Sequence, residues 1–121
     1  MTPFKLSEEL LDQINSDIVA KNNNAIQTRV KEYHFADLAE IFEALQIDQA
    51  VYLFKLIDSE KSADMLPELD EDVRESILDA LSSEEIATEI EELDTDDAVD
   101  IIAELSDEVR KEVINQISDT E

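Results

Sequence analysis

The chain has 121 residues, 33 acidic and 9 basic, a formal charge of −24, and neither cysteine nor glycine. That length suits one domain with a real core, and the missing cysteines exclude a disulfide framework or thiolate metal site and point to an intracellular setting. So large a negative field repels nucleic acid and anionic lipid, and it attracts cations or basic partners.

Met1 to Leu11 has neither the apolar stretch nor the small-residue cleavage site of a secretory leader. Ser7 ahead of Glu8 and Glu9 reads as a capped helix start, and Leu10, Leu11, Ile14, Ile18 and Val19 carry an apolar stripe to about Lys21. Asn22, Asn23 and Asn24 form a polar turn, after which Ile26, Val30 and Tyr33 mark a second helix. A third begins near Ala36, and His34 just before it is an interhelix turn residue. In residues 1–31 the bases Lys5, Lys21, Arg29 and Lys31 balance the acids Glu8, Glu9, Asp12 and Asp17, so the whole excess charge lies beyond them. The longest apolar stretch, Val51 to Ile57, is broken by Lys55 and falls far short of the ~20 residues that span a bilayer.

From Leu45 onward an aliphatic residue recurs every twelve positions, at Ile57, Leu69, Leu81, Leu93, Leu105 and Ile117. The residue after each is Gln46, Asp58, Asp70, Ser82, Asp94, Ser106 or Ser118, and all but the first are types that cap helix N-termini. Such a unit leaves room for roughly nine or ten helical residues and a short turn. Helices that short do not stand alone, so consecutive units are expected to stack antiparallel, each mainly against its sequence neighbours, into an all-α solenoid like armadillo and HEAT arrays. Without glycine the turns must close without the usual left-handed residue. Eight and nine positions into each unit lie apolar pairs such as Leu53/Phe54, Met65/Leu66 and Ile77/Leu78. Glu89 alone breaks the first of these columns, and it is expected where the stack opens to solvent. The chain therefore reads as one domain, residues 1–121, with two N-terminal helices in 1–33 and the repeat array in 34–121.

Enzyme chemistry finds little here. One histidine, no cysteine and no glycine-rich loop leave no nucleophile-base pair and no phosphate cradle, so no catalytic residue is assigned. The densest acidic run is Asp94-Thr95-Asp96-Asp97-Ala98-Val99-Asp100. Asp94 is a plausible N-cap, Asp97 its short capping-box partner, and Asp96 a first-turn acid favoured by the helix dipole. Asp100 lies beyond the cap and shares a face with Asp96 at i, i+4, where like charges repel. A hard cation between such carboxylates would relieve the repulsion, and Mg²⁺ needs only one or two of them directly; a solvated acidic face is the other reading. An EF-hand starting at Asp94 fails, because Val99 stands where glycine is needed and Leu105 where the bidentate Glu belongs.

Two segments carry a family resemblance. His34-Phe35-Ala36-Asp37-Leu38-Ala39 is similar to the His-Pro-x-Asp-Leu/Ile-Ala opening of the N-terminal cytosolic domain of MgtE-type magnesium transporters and channels, with Phe35 in place of the proline. Leu93-Asp94-Thr95-Asp96-Asp97-Ala98-Val99-Asp100 resembles that family's Leu-x-x-Asp-Asp-Ala/Leu-x-Asp segment, and the likeness spans Tyr33 to Ile117. Leucine-and-acid repeats also occur in flagellar-motor switch proteins, but order and spacing together favour MgtE.

The resemblance implies a right-handed superhelix on the cytoplasmic face of the cell membrane, followed by CBS domains and a transmembrane pore that are absent from this chain, in a homodimeric full-length protein. It implies a regulatory Mg²⁺, weak or incomplete in the isolated domain, which bridges the solenoid to the CBS region and closes the pore. Matched by position, Asp64, Asp96, Asp97 and Asp100 would face that metal; Asp64 stands three units before Asp100 at the same unit position. The leading expectation is thus a Mg²⁺-sensing gating domain. Its rivals are an acidic interaction scaffold with no metal role, an acidic decoy of nucleic acid that occupies a basic groove and, more distantly, an enzyme.

Overall fold

The computed structural model describes residues 6–119, and these form nine α-helices and one 3₁₀ turn with no strand. The helices are α1 (Glu8–Val19), α2 (Asn23–Val30), α3 (Phe35–Ala44), α4 (Ile47–Leu56), α5 (Ser59–Met65), α6 (Glu71–Ala80), α7 (Ser83–Glu92), α8 (Thr95–Glu104) and α9 (Asp107–Asp119). The 3₁₀ turn spans Leu66–Glu68 and contains Pro67, whose missing N–H and ring end α5 early. This is the all-α helical repeat that the twelve-residue period predicts.

The period has a simple conformational origin. Helices α3, α4, α6, α7 and α8 each have 10 residues, and two extended residues complete each unit. At the first of these junctions Leu45 has φ −85° and ψ 157° and Gln46 has φ −68° and ψ 151°. The recurring aliphatic residue thus ends one helix, with its N–H bonded three residues back, as Leu81 to Leu78 and Leu105 to Ile102. Neither junction residue needs a positive φ, so the repeat tolerates the absence of glycine. The exception lies outside the array. Lys21 has φ 56°, and the bonds Lys21 N–H to Ile18 O and Asn22 N–H to Asp17 O close α1 by a Schellman motif.

The expected caps form in part. Side chains of Asp58, Ser82 and Ser106 accept from Lys61, Glu85 and Val109 N–H at 3.1, 3.1 and 3.4 Å, and Glu85 closes a capping box onto Ser82. Asp70 and Asp94 occupy cap positions without a side-chain bond, and Ser118 lies inside α9. Ser7 caps α1 as expected, but α2 begins within the asparagine run and ends before Tyr33. His34 is the N-cap of α3, its Nδ1 accepting from Ala36 N–H at 3.2 Å.

Packing corrects one expectation. The closest backbone approaches join alternate helices, α3 to α5, α5 to α7 and α7 to α9 in one row and α2 to α4 to α6 in the other. Neighbouring units belong to opposite rows, so a helix gains more apolar contact from the unit two away. Between the rows lies the column eight positions into each unit: Leu53, Met65, Ile77, Ile101 and Val113 are all buried. Phe42 and Phe54 meet edge to face at 6.3 Å within the same core.

Scarce bases serve helix C-termini. Lys61 Nζ donates to the carbonyls of Val30 and Lys31, each at 3.0 Å. Arg74 donates to Leu69 O at 2.7 Å, and Arg110, 36 residues later, donates to Leu105 O at 3.0 Å. Arg74 and Arg110 each belong to the unit after the carbonyl they satisfy, whereas Lys61 reaches back about 30 residues to the end of α2, and all three stitch the stack together.

The Lys21 conformation makes a prediction. Glycine carries no Cβ penalty in the left-handed region, so Lys21→Gly is expected to raise stability by about 0.5–1 kcal/mol in urea unfolding. A loss of that size would mean the Lys21 side chain holds the turn through other contacts.

Candidate functional site

Helix α8 contributes little to the core. Ile101 is its only buried residue, and Val99 is left 59% exposed. The rest of its surface is acidic. Asp97 is half-buried, while Asp96 and Asp100 are exposed.

Asp97 and Asp100, one helical turn apart, line a cleft of about 380 Å³ together with Pro67, Arg74, Ile101 and Glu104. Asp96 is not part of its lining. Asp64, also exposed, lines a different cleft of about 410 Å³ with His34, Asp58, Glu60 and Lys61. Two of the four expected metal-facing acids therefore share a cleft, and the other two stand apart from it.

Pattern reading missed what separates the α8 acids from the core. Arg74 of α6 binds Glu104 of α8 by a two-pronged ion pair, Nε to Oε1 and Nη2 to Oε2, both at 2.9 Å. Its Nη1 meanwhile donates to Leu69 O. Glu104, and then Glu71 and Asp100 at longer range, hold the guanidinium more firmly protonated than usual against the opposing effect of burial. Glu104 is thus consumed by the fold. Asp97 and Asp100 make no such ion pair among the described residues, and Arg74 supplies positive charge in their cleft. A spacing of 30 residues hid this pair, although Arg74 as an isolated base in an acidic tract was its available signal.

Among the described residues no three His, Cys, Asp or Glu side chains come together closely enough to hold a metal. The donors in the α8 cleft are hard carboxylate oxygens, the type that Mg²⁺ takes, and that ion uses one or two carboxylates while keeping its waters. The residues fit such an ion in kind and fall short in number.

Glu89 corrects the sequence reading outright. It is 5% exposed, in the buried column of α7, and its Oε1 accepts a hydrogen bond from buried Ser62 Oγ of α5 at 2.5 Å. Packing of alternate helices brings a small polar residue opposite it, a pairing across 27 positions that no local pattern displays.

Fold and site together define an acidic helical-repeat domain with an unpaired carboxylate face and no membrane-crossing helix among its described residues. Residues 33–121 match the MgtE intracellular N domain family. The chain belongs to that family, the cytosolic domain of a Mg²⁺ transporter. No curated protein matches it.

The Arg74 ion pair sets a stability test. Arg74 and Glu104 side chains are 13% and 23% exposed, whereas Arg110 and its partner Asp107 are 37% and 100% exposed. Arg74→Met should therefore lower unfolding free energy by about 2–4 kcal/mol, since it strands Glu104 and takes a donor from the Leu69 carbonyl. Arg110→Met should cost under about 1.5 kcal/mol. Equal losses in denaturant titrations would contradict the structural role given to Arg74.

Proposed function

We propose that this domain senses intracellular Mg²⁺ and gates the transporter to which it belongs. Asp97 and Asp100, with Asp64 and Asp96 along the acidic surface, hold one side of a regulatory cation site, and the neighbouring CBS domains hold the other. Bound there, Mg²⁺ supplies positive charge between two acidic surfaces that otherwise repel. The single observation that carries this reading is the α8 cleft, where two carboxylates left free by the fold line one concave surface whose one base, Arg74, is already paired with Glu104.

The mechanism is a population shift without covalent chemistry. A cation that prefers the compact arrangement ~100-fold stabilises it by about 2.7 kcal/mol. Asp97 and Asp100 supply that preference because their repulsion is relieved only when the second half of the site closes over them. The wider acidic field concentrates cations near the cleft and screens with salt over ~10 Å.

A second reading is an interaction scaffold. It is favoured by a larger groove of about 600 Å³ whose floor is Leu78, Leu81, Leu105 and Val109 and whose rim includes Glu75 and Asp79. A basic amphipathic segment would suit that groove.

Transport by the protein carrying this domain separates the two. Asp97→Asn/Asp100→Asn is expected to raise the Mg²⁺ concentration that half-inhibits flux about tenfold, while Glu108→Gln, in the first turn of α9, leaves it unchanged. Unaltered Mg²⁺ inhibition in the double variant would refute the sensing role of this cleft.

A further inference from the structure

We infer that Glu89 is a proton-binding site: its carboxyl is neutral in the tightly packed stack, and its ionisation loosens the seam between α5 and α7.

The geometry begins with the core column. Every other described member at that unit position is aliphatic or Met, and Glu89 takes a place between the two rows of helices. Its partner Ser62 is 1% exposed, and Ser62 Oγ also lies 3.3 Å from Ser59 O. A hydroxyl has one proton to give. If Glu89 is protonated, a directed chain runs from its O–H to Ser62 Oγ and from Ser62 to the Ser59 carbonyl, and each polar atom is served. If Glu89 is ionised, Ser62 must turn its proton to the carboxylate, and the carbonyl loses that donor.

Surrounding charge works in the same direction. Along α7 the Glu89 carboxyl faces Glu85 and Glu92, and from α5 it faces Asp58. From α4 the one cation is Lys55, whose Nζ is 3.8 Å from Glu85 and whose side chain is 46% exposed. The charged side chains of α8 and of α9 (Asp107, Glu108, Arg110, Lys111, Glu112) are absent from the lining of the cavity. Burial, opposed by the Ser62 hydrogen bond and reinforced by these carboxylates, raises the Glu89 pKa from 4.5 to about 7.

An exit for the charge is present. Glu89 lines a cavity of about 220 Å³ that also touches Lys55, Ser59, Ser62, Glu85 and Thr88. That volume admits several waters, and its hydroxyls can hold them. An ionised Glu89 draws water between α5 and α7, so the array is stiffer in mild acid than in mild alkali.

The sign follows from the raised pKa. Between pH ~4.5 and ~7 the unfolded chain has released this proton and the folded chain retains it, so stability falls as pH rises through that window and levels off above it.

The test is a pair of measurements on this chain. Glu89→Gln is isosteric with the neutral acid and can still donate to Ser62. From pH 5.5 to pH 8 the parent's Tm is expected to fall by ~5 °C or more relative to Glu89→Gln. Parallel curves would overturn the inference. ¹³C NMR of the parent, independent of whether the variant folds, should show the Glu89 Cδ titrating near neutrality; a midpoint below ~5.5, among the surface carboxylates, would also overturn it.

Discussion

The structure depends on helices too short to hold themselves. A 10-residue helix is marginal in water, so each repeat unit is stable only as far as its neighbours bury its apolar face. The column from Leu53 to Val113 is where this burial is concentrated, and the two extended residues between helices keep that column in register. Everything the surface does is allowed by this arrangement, because the core needs only one face of each helix. The other face is free to carry charge.

The charge is then sorted by structural need. First-turn acids such as Glu84 and Glu85 lie where helix dipoles favour them. Glu104 answers Arg74, and Glu112 accepts from Ser83 Oγ at 2.6 Å. Glu43 accepts from the Asp70 N–H at 3.2 Å. Bases are spent on carbonyls at helix ends, so few remain to neutralise the surface. Asp96, Asp97 and Asp100 of α8 are among the acids left over, on a helix whose only buried residue is Ile101, and a surplus of that kind attracts cations. Glu89 belongs to neither group, since it is an acid inside the core.

Much of the fold was legible because the repeat restates itself. The length of α6, α7 and α8, their two-residue junctions and the cap at Ser82 follow from counting in twelves. What stayed hidden depends on contacts between units. Asp94 has the right residue type and backbone for a cap, yet its side chain makes no cap bond. Pro67 splits one unit into a short α-helix and a 3₁₀ turn, and Lys21 accepts the left-handed conformation that glycine usually takes. Glu89 was misjudged because an acid in an apolar column normally marks an opening, and only the packing of α5 against α7 supplies Ser62. At the candidate site, repulsion between Asp96 and Asp100 pointed to α8, but Asp97 is the acid that joins Asp100 in the cleft, and Arg74 behind it came from another helix.

The claim that the α8 carboxylates form a localised half-site is tested most directly by titrating Mn²⁺, as a paramagnetic stand-in for Mg²⁺, into the ¹⁵N-labelled domain and mapping amide line broadening. Broadening should begin at residues 96–101 and be displaced by Mg²⁺ at an ionic strength where Na⁺ has no effect. Broadening spread evenly over α6, α7 and α9, or lost equally to Na⁺, would mean that the acids act only as a diffuse field and that no half-site exists.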